Sequence, residues 1–139
     1  MTATTLRNEN YTNHYMKIRL QGNSIRYRLK EPEVYAFKKN GGISELIQLS
    51  SEPAGHLCFR LQVSDCPSLN VHHSGNTITV EVPRLLATDW TDTALVGFNG
   101  DVELANNSRL QVLVEKDFRC LDGSDEENEG TYPNPAAQC

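Results

Sequence analysis

Apolar and polar residues alternate along most of the chain between residues 16 and 117. A two-residue period of this kind is typical of β-strands that bury one face. The stretches 16–21 and 24–30 show it most clearly, and Gly22-Asn23 between them has the chemistry of a tight hairpin turn. Pro32 and Pro83 each begin a short segment that we predict to be helical, over about 32–39 and 83–90. The pattern therefore predicts strand, strand, helix, strand, strand, and then the same order again.

One segment occurs twice, because Gly22-Asn23-Ser24-Ile25 returns as Gly75-Asn76-Thr77-Ile78, 53 residues later. At that spacing the apolar positions correspond without a gap from residue 16 to residue 63, and the correspondence includes Ile43 with Val96 and Phe37 with Trp90. An internal repeat of this length indicates one supersecondary unit used twice. We predict a mainly β fold of two tandem ββαββ units, 16–63 and 69–116, that share one barrel-like core in which Phe37 and Trp90 pack together.

The length of 139 residues suits one domain, so the two units are expected to form a single domain over 16–118. Residues 1–15 show no alternation and are predicted to be a disordered leader, whereas 119–139 are predicted to be an acidic tail. Neither a signal peptide nor a membrane-spanning apolar run is recognisable in the sequence. We therefore expect a cytoplasmic protein with no membrane partner.

Charge is distributed unevenly around a net value of −5. Residues 1–40 hold eight basic and three acidic side chains, a balance of +5, and the remaining chain holds five basic and fifteen acidic ones, a balance of −10. From Asp117 to Cys139 there are six acidic side chains and one arginine. This asymmetry makes the acidic end of the chain a candidate partner for the basic beginning.

If Gly22-Asn23 is a two-residue turn, Lys17 lies opposite Arg28 and Arg19 lies opposite Arg26. Opposed like charges each cost a few tenths of a kcal/mol, roughly, so an anion is expected nearby. Three explanations remain open: a solvated strand face with local counter-ions, a nucleic-acid contact, and an internal contact with the acidic tail. The last two make DNA or an acidic protein segment the candidate partner of this basic hairpin, residues 17–28.

The run from Met16 to Leu29, with Gly22-Asn23-Ser24 before alternating arginines, resembles the opening of AbrB/MazE-type proteins, which are small bacterial transcription factors and antitoxins with a swapped-hairpin barrel. The second unit carries a related signature that ends in Pro83-Arg84-Leu85. This resemblance implies a single-chain pseudo-dimer. The chain is also similar to a group of small uncharacterised bacterial proteins that start Met-Lys-Ile-Arg and end Tyr-Pro-Asn-Pro, as residues 16–19 and 132–135 do here.

In AbrB/MazE-type proteins the corresponding hairpin contacts DNA, and the resemblance implies that role for Arg19, Asn23, Ser24 and Arg28. The same face of the hairpin adds the cations of Lys17 and Arg26. The pattern departs from the family at Leu20 and Gln21. In the second unit Glu81 stands where the first unit has Arg28, so a symmetric DNA-binding surface is not expected.

The remaining chemistry-bearing residues match no established template. Cys120 and Cys139 are spaced for a disulfide or a metal clip that would close the tail, and reduced thiols are the default in the cytoplasm. The histidines and other cysteines fit no zinc spacing, and the acidic run from Asp122 fails the calcium-loop template. No enzyme signature is found, and neither a cofactor nor a small-molecule substrate is evident.

We therefore expect a non-enzymatic binding protein, monomeric or homodimeric, that contacts nucleic acid through its first hairpin in the manner of a transcription factor or antitoxin. The alternative is a protein-interaction module that has lost DNA binding. A third hypothesis is metal or redox sensing through Cys120 and Cys139.

Overall fold

The computed structural model describes residues 16–118 and 128–133. The described part of the chain forms eight strands, two α-helices and one short 3₁₀-helix, Ala105–Asn107. In chain order the main elements are β1 (Lys17–Leu20), β2 (Ser24–Leu29), α1 (Glu31–Asn40), β3 (Gly42–Gln48), β4 (His56–Ser64), β5 (Asn70–Ser74), β6 (Thr77–Pro83), α2 (Arg84–Asp92), β7 (Gly97–Glu103) and β8 (Arg109–Lys116). The predicted mainly β character is confirmed.

The strands form two four-stranded sheets, sheet A in the order β1-β2-β8-β7 and sheet B in the order β3-β4-β6-β5. In each sheet two antiparallel hairpins meet along a parallel central pair, β2 with β8 and β4 with β6. One hairpin of each sheet comes from the first half of the chain and the other from the second. The expected barrel-like closure is not found in the described residues, because the outer strands β1, β7, β3 and β5 remain edges with no ladder joining the two sheets.

A single apolar core draws side chains from both sheets and both helices. Tyr27 of sheet A meets Phe59 of sheet B edge to face, with ring centroids 6.5 Å apart. Phe37 of α1 packs on Trp90 of α2 at 5.9 Å, and Trp90 packs on Phe98 of β7 at 5.4 Å. The predicted pairing of Phe37 with Trp90 is confirmed, and each aromatic contact adds about 1 kcal/mol beyond the area it buries.

Backbone conformation explains where the elements begin and end. Gly22 and Gly75 adopt positive φ angles of 58° and 57°, which glycine allows at no steric cost in the two hairpin turns. The helix α1 begins after Lys30, whose backbone N–H donates to the Glu33 carboxylate at 2.7 Å, and it ends at Gly41 with φ 77°. These features confirm the turn predicted at Gly22-Asn23.

The gap-free correspondence between the two halves is wrong at β7. Ile43 pairs with Leu61 across β3 and β4, and the counterpart of this pair in sheet A is Phe98 with Val114. Val96, the position predicted to match Ile43, precedes the strand, and its carbonyl accepts hydrogen bonds from the Trp90 indole and the Lys116 backbone. The second half therefore gains two residues before β7 and loses two in the loop between β7 and β8.

Part of the segment assigned to the acidic tail lies against the domain. The Glu31 backbone N–H donates to the Gly130 carbonyl at 2.9 Å, and the Tyr132 N–H donates to the Asp117 carbonyl at 2.8 Å. The rings of Phe118 and Tyr132 are 5.7 Å apart. Residues 128–133 therefore cover the start of α1 and the end of β8. The predicted leader, 1–15, lies outside the described residues.

Candidate binding face on the basic hairpin

The basic hairpin has the register that the sequence predicts. Lys17 pairs with Arg28 and Arg19 pairs with Arg26 across β1 and β2, so both opposed like-charge pairs exist. Ile25 and Tyr27, which alternate with the arginines of β2, are buried in the core. The four cations therefore lie on the outer face of sheet A.

The anion expected beside this face is supplied by the neighbouring strand β8. Because β2 and β8 are parallel, Glu115 lies beside Arg28 in the ladder. Its Oε1 accepts hydrogen bonds from Arg26 Nε at 2.9 Å, from Arg26 Nη2 and from Arg28 Nε at 3.0 Å. The two arginine side chains keep only 30% and 33% of their surface exposed. One carboxylate therefore serves as the counter-ion of both arginines in β2.

A second carboxylate pairs with the third cation. Lys17 Nζ lies 3.0 Å from Asp117 Oδ2, and the Asp117 side chain is 2% exposed. Asp117 is held there by its backbone, whose N–H donates to the Leu29 carbonyl at 2.8 Å. An internal acidic partner therefore exists, but it consists of Glu115 and Asp117 at the end of β8. Residues 119–127 and 134–139, which make up most of the predicted tail, lie outside the described residues.

Asn23 and Ser24, which the resemblance assigns to DNA contact, make structural hydrogen bonds. Asn23 Nδ2 donates to the Arg109 carbonyl and Ser24 Oγ to the Gln21 carbonyl, both at 2.5 Å. Asn76 in the second turn donates in the same way to the Ala54 carbonyl at 2.8 Å. Asn23 and Asn76 therefore each hydrogen-bond their own turn to the neighbouring hairpin. The sequence does not reveal this role, because it does not show which strands are neighbours.

Arg19 is the cation of this hairpin that faces no carboxylate within 16–118 and 128–133. It lies at one side of a groove of about 430 Å³ that crosses the outer face of sheet A. All four strands contribute to the groove, and the side chains that matter for its chemistry are those of Arg19, Arg26, Asn99, Asp101, Gln111 and Leu113. The sequence does not predict this groove, because β7 and β8 come beside the basic hairpin only through the parallel pairing of β2 with β8.

The corresponding face of sheet B has different chemistry. Arg60 donates to Ser44 Oγ at 2.6 Å and to Gln62 Oε1 at 2.8 Å, and Glu81 accepts from Asn70 Nδ2 at 3.1 Å. As the sequence indicates at Glu81, this face offers no second basic hairpin.

Burial shifts the pKa of three groups that lie in different elements: Glu33 in α1, Lys116 at the end of β8 and Tyr132 in the segment 128–133. Glu33 is fully buried, which raises its pKa to about 8; the charges of Glu45 and Asp117 add to the rise, and the Lys30 backbone and ammonium oppose it. Burial lowers the pKa of Lys116, whose ammonium donates to the Thr93 carbonyl at 2.8 Å. Burial also raises the pKa of Tyr132 to about 12. Burial therefore favours the neutral form of the Glu33 carboxyl.

Among the described residues, no group of three histidine, cysteine or acidic side chains is placed to hold a metal ion. Cys58 and Cys66 are free thiols. Cys120 and Cys139, the predicted disulfide or metal clip, lie outside the described residues. Neither helix in 16–118 is long and apolar enough to cross a bilayer.

Comparison with known proteins identifies a family. No curated protein and no solved structure matches this chain. A family model described as a family of unknown function (DUF7009) matches residues 16–136, which include both sheets, the basic hairpin and the covering segment 128–133. The chain therefore belongs to this family of unknown function.

Proposed function

We propose that this protein is a non-enzymatic, single-chain pseudo-dimer with AbrB/MazE-like swapped hairpins, built by tandem duplication of a ββαββ unit. The ladder registers support duplication: Ser24 pairs with Gln111 in sheet A, and Thr77 pairs with Cys58 in sheet B. Each residue of the second pair is 53 positions from its counterpart in the first. The matching Asn23 and Asn76 hydrogen bonds support the same conclusion.

The function that the geometry supports best is that of a protein-interaction module that no longer uses its hairpin for DNA. The observation that carries this proposal is the neutralisation of Arg26 and Arg28 by Glu115. Affinity for DNA comes chiefly from cations that replace the counter-ions of phosphates. Cations already paired with carboxylates must break those pairs to do so.

The charge on the whole outer face of sheet A supports the same conclusion. Besides the four hairpin cations, this face holds Arg109, and against them lie Glu115, Asp117, Asp101 and Glu103. Five basic and four acidic side chains leave a balance of only +1. Such a face attracts a polyanion weakly at physiological salt.

A surface suited to a protein partner is present at the edge of sheet B. Strand β3 is an edge of seven residues with one charged side chain, Glu45. Ile47 near its end is 39% exposed, and Leu49 just beyond it is 64% exposed. The exposed side chains of Ile47 and Leu49 can pack against an apolar segment of another protein.

Fluorescence anisotropy with random-sequence duplex DNA tests the loss of DNA binding. We expect the full chain to bind with a Kd weaker than about 100 μM at 50 mM salt. Glu115→Gln frees Arg26 and Arg28 and is expected to tighten binding about threefold to tenfold. Glu52→Gln, which removes the same charge from a distant exposed loop, serves as the matched control. Tight, salt-sensitive binding by the unaltered chain that Arg26→Ala/Arg28→Ala abolishes would instead make the hairpin a nucleic-acid face.

Affinity capture from cell extract at high and low salt tests the protein partner. A partner held by β3 should remain bound at about 500 mM salt, where surface charges are strongly screened. Ile47→Lys/Leu49→Lys should release that partner, and Leu85→Lys, a change at an exposed leucine of α2, should not. Equal loss with both variants would argue against β3 as the contact.

A further inference from the structure

We propose that the groove across sheet A is a binding site for a small oxyanion that also carries hydroxyl groups, of the kind found in a sugar phosphate or a sugar acid. Its volume of about 430 Å³ falls within the range of small-molecule sites. This site is separate from the β3 edge and is independent of the proposed protein partner.

The anion-binding end of the groove is formed by Arg19 and Arg26, which are directly opposite each other on β1 and β2. Arg26 uses Nε and Nη2 to donate to Glu115, which leaves its Nη1 for a ligand. Arg19 is exposed beside the groove, and within 16–118 and 128–133 its guanidinium faces no acidic side chain. A phosphate or carboxylate between the two arginines would receive charge-assisted hydrogen bonds and would relieve their mutual repulsion.

The rest of the groove carries neutral polar groups around an apolar floor. Asn99 pairs with Leu113 in the ladder between β7 and β8, and Gln111 lies two residues before Leu113 on the same outer face. The side-chain amides of Asn99 and Gln111 can each donate to and accept from hydroxyl groups. Half-buried Leu113 between them offers a flat apolar surface to a carbon skeleton.

The side of the groove opposite Arg19 favours a ligand with a single anionic group over a polyanion. Asp101 lines this side and Glu103 follows it on β7, and both carboxylates face Arg109 at 3.6 and 3.5 Å. A ligand with one anionic group can place that group at Arg19 and its hydroxyls toward Asp101. A nucleic-acid strand that continues across the sheet would bring phosphates against these carboxylates.

Sheet B provides an internal comparison. At the same strand positions, His72 pairs with Thr79 where Arg19 pairs with Arg26, and Arg60 occupies the position of Leu113. Arg60 is held by Ser44 and Gln62, and so its side chain lies across the sheet surface. Sheet B therefore lacks both the arginine pair and the apolar floor.

Two-dimensional ¹H–¹⁵N NMR titration of the full chain tests the site, with ribose 5-phosphate, gluconate and uncharged ribose as probes. We expect saturable shifts at the Arg19, Asn99 and Gln111 signals with at least one of the two anions and none with ribose. The comparison of the two anions identifies the preferred oxyanion. Arg19→Ala should weaken binding at least about tenfold, since it removes a charged hydrogen-bonding group. His72→Ala, at the matched position of sheet B, should leave it unchanged.

The proposal is overturned if neither anion gives saturable shifts, or if Arg19→Ala and His72→Ala weaken binding equally. Binding of duplex DNA through Arg19 without binding of either small anion would also overturn it. That last result would at the same time contradict the proposed loss of DNA binding, whereas failure of the small anions alone would leave that proposal intact.

Discussion

Glu33 shows how one buried carboxyl can combine a structural role with sensitivity to pH. Its Oε1 accepts the hydrogen bond that begins α1, and in the described structure its Oε2 has no hydrogen-bond partner. Full burial is the main reason that its pKa rises from 4.5 to about 8. A protonated Oε2 carries no charge into the core, whereas an ionised carboxylate would be buried with incomplete pairing.

The free energy of unfolding should therefore depend on the protonation of Glu33. Its pKa is higher in the folded state than in the unfolded state, so the native protein binds the proton more tightly. The stability that this proton contributes is complete below about pH 4.5 and is lost as pH rises through about 8. Glu33→Gln keeps a neutral acceptor for the Lys30 N–H and should remove this part of the pH dependence.

Urea denaturation at about pH 5, 7 and 9 measures the effect. The unaltered chain should lose stability relative to Glu33→Gln as pH rises across this range. Asp89→Asn, at an exposed position on α2, should follow the unaltered chain. If the free energy of unfolding changes with pH equally in Glu33→Gln and in the unaltered chain, Glu33 is ionised across this whole pH range.

At the level of elements, the Gly-Asn turns join hairpins that are distant in sequence. The carbonyl of Asn23 accepts from Gln111 N at 3.0 Å while its side chain donates to Arg109. Asn76 repeats both contacts with Cys58 and Ala54. The side chain and backbone of one residue therefore fix the position at which each parallel strand pair begins.

Replacing either asparagine should destabilise the protein without changing its fold. We expect Asn23→Ala and Asn76→Ala to lower the free energy of unfolding by about 1 kcal/mol each, the usual net value of one hydrogen bond. Thermal or urea denaturation provides the measurement. Asn99→Ala, an exposed position on β7, should change stability by less than about 0.5 kcal/mol. An equally small effect at Asn23 would mean that the turn needs only its glycine.

The sequence predicts where the strands and helices of this chain lie better than it predicts which strands pair with each other. Alternation at Ile25 and Tyr27 identifies the buried face of β2, because the period of a strand depends only on its own residues. The same pattern does not say which strand lies beside β2, so it predicts neither the contact with Glu115 nor the groove. Val96 is apolar at the 53-residue spacing, so a comparison of apolar positions alone does not reveal the two-residue shift at β7.

Over the whole molecule, neither half of the chain completes a sheet without the other. Sheet A takes β1 and β2 from the first half and β7 and β8 from the second, and sheet B combines β3 and β4 with β5 and β6. The core residues Phe37 and Trp90 also come from different halves. The two halves should therefore fold together as one cooperative unit.

Cutting the chain between β4 and β5 tests this dependence. We expect fragments 1–66 and 67–139 to be unfolded separately and to recover native circular dichroism when mixed. Trp90, the single tryptophan, reports on the core, and its fluorescence should change together with circular dichroism when the intact chain is denatured. Either fragment giving a cooperative unfolding transition by itself would show that one unit is an independent domain.

The parallel pairing of β2 with β8 also affects when the protein can fold during its synthesis. Arg28 and Glu115 are 87 residues apart in the chain, and yet they are neighbours in the ladder. During synthesis the first hairpin emerges early, but it has no strand beside it until β8 has left the ribosome. Contacts between such distant residues slow the search for the native state. Newly made chains should therefore remain open to chaperones until β8 has been synthesised.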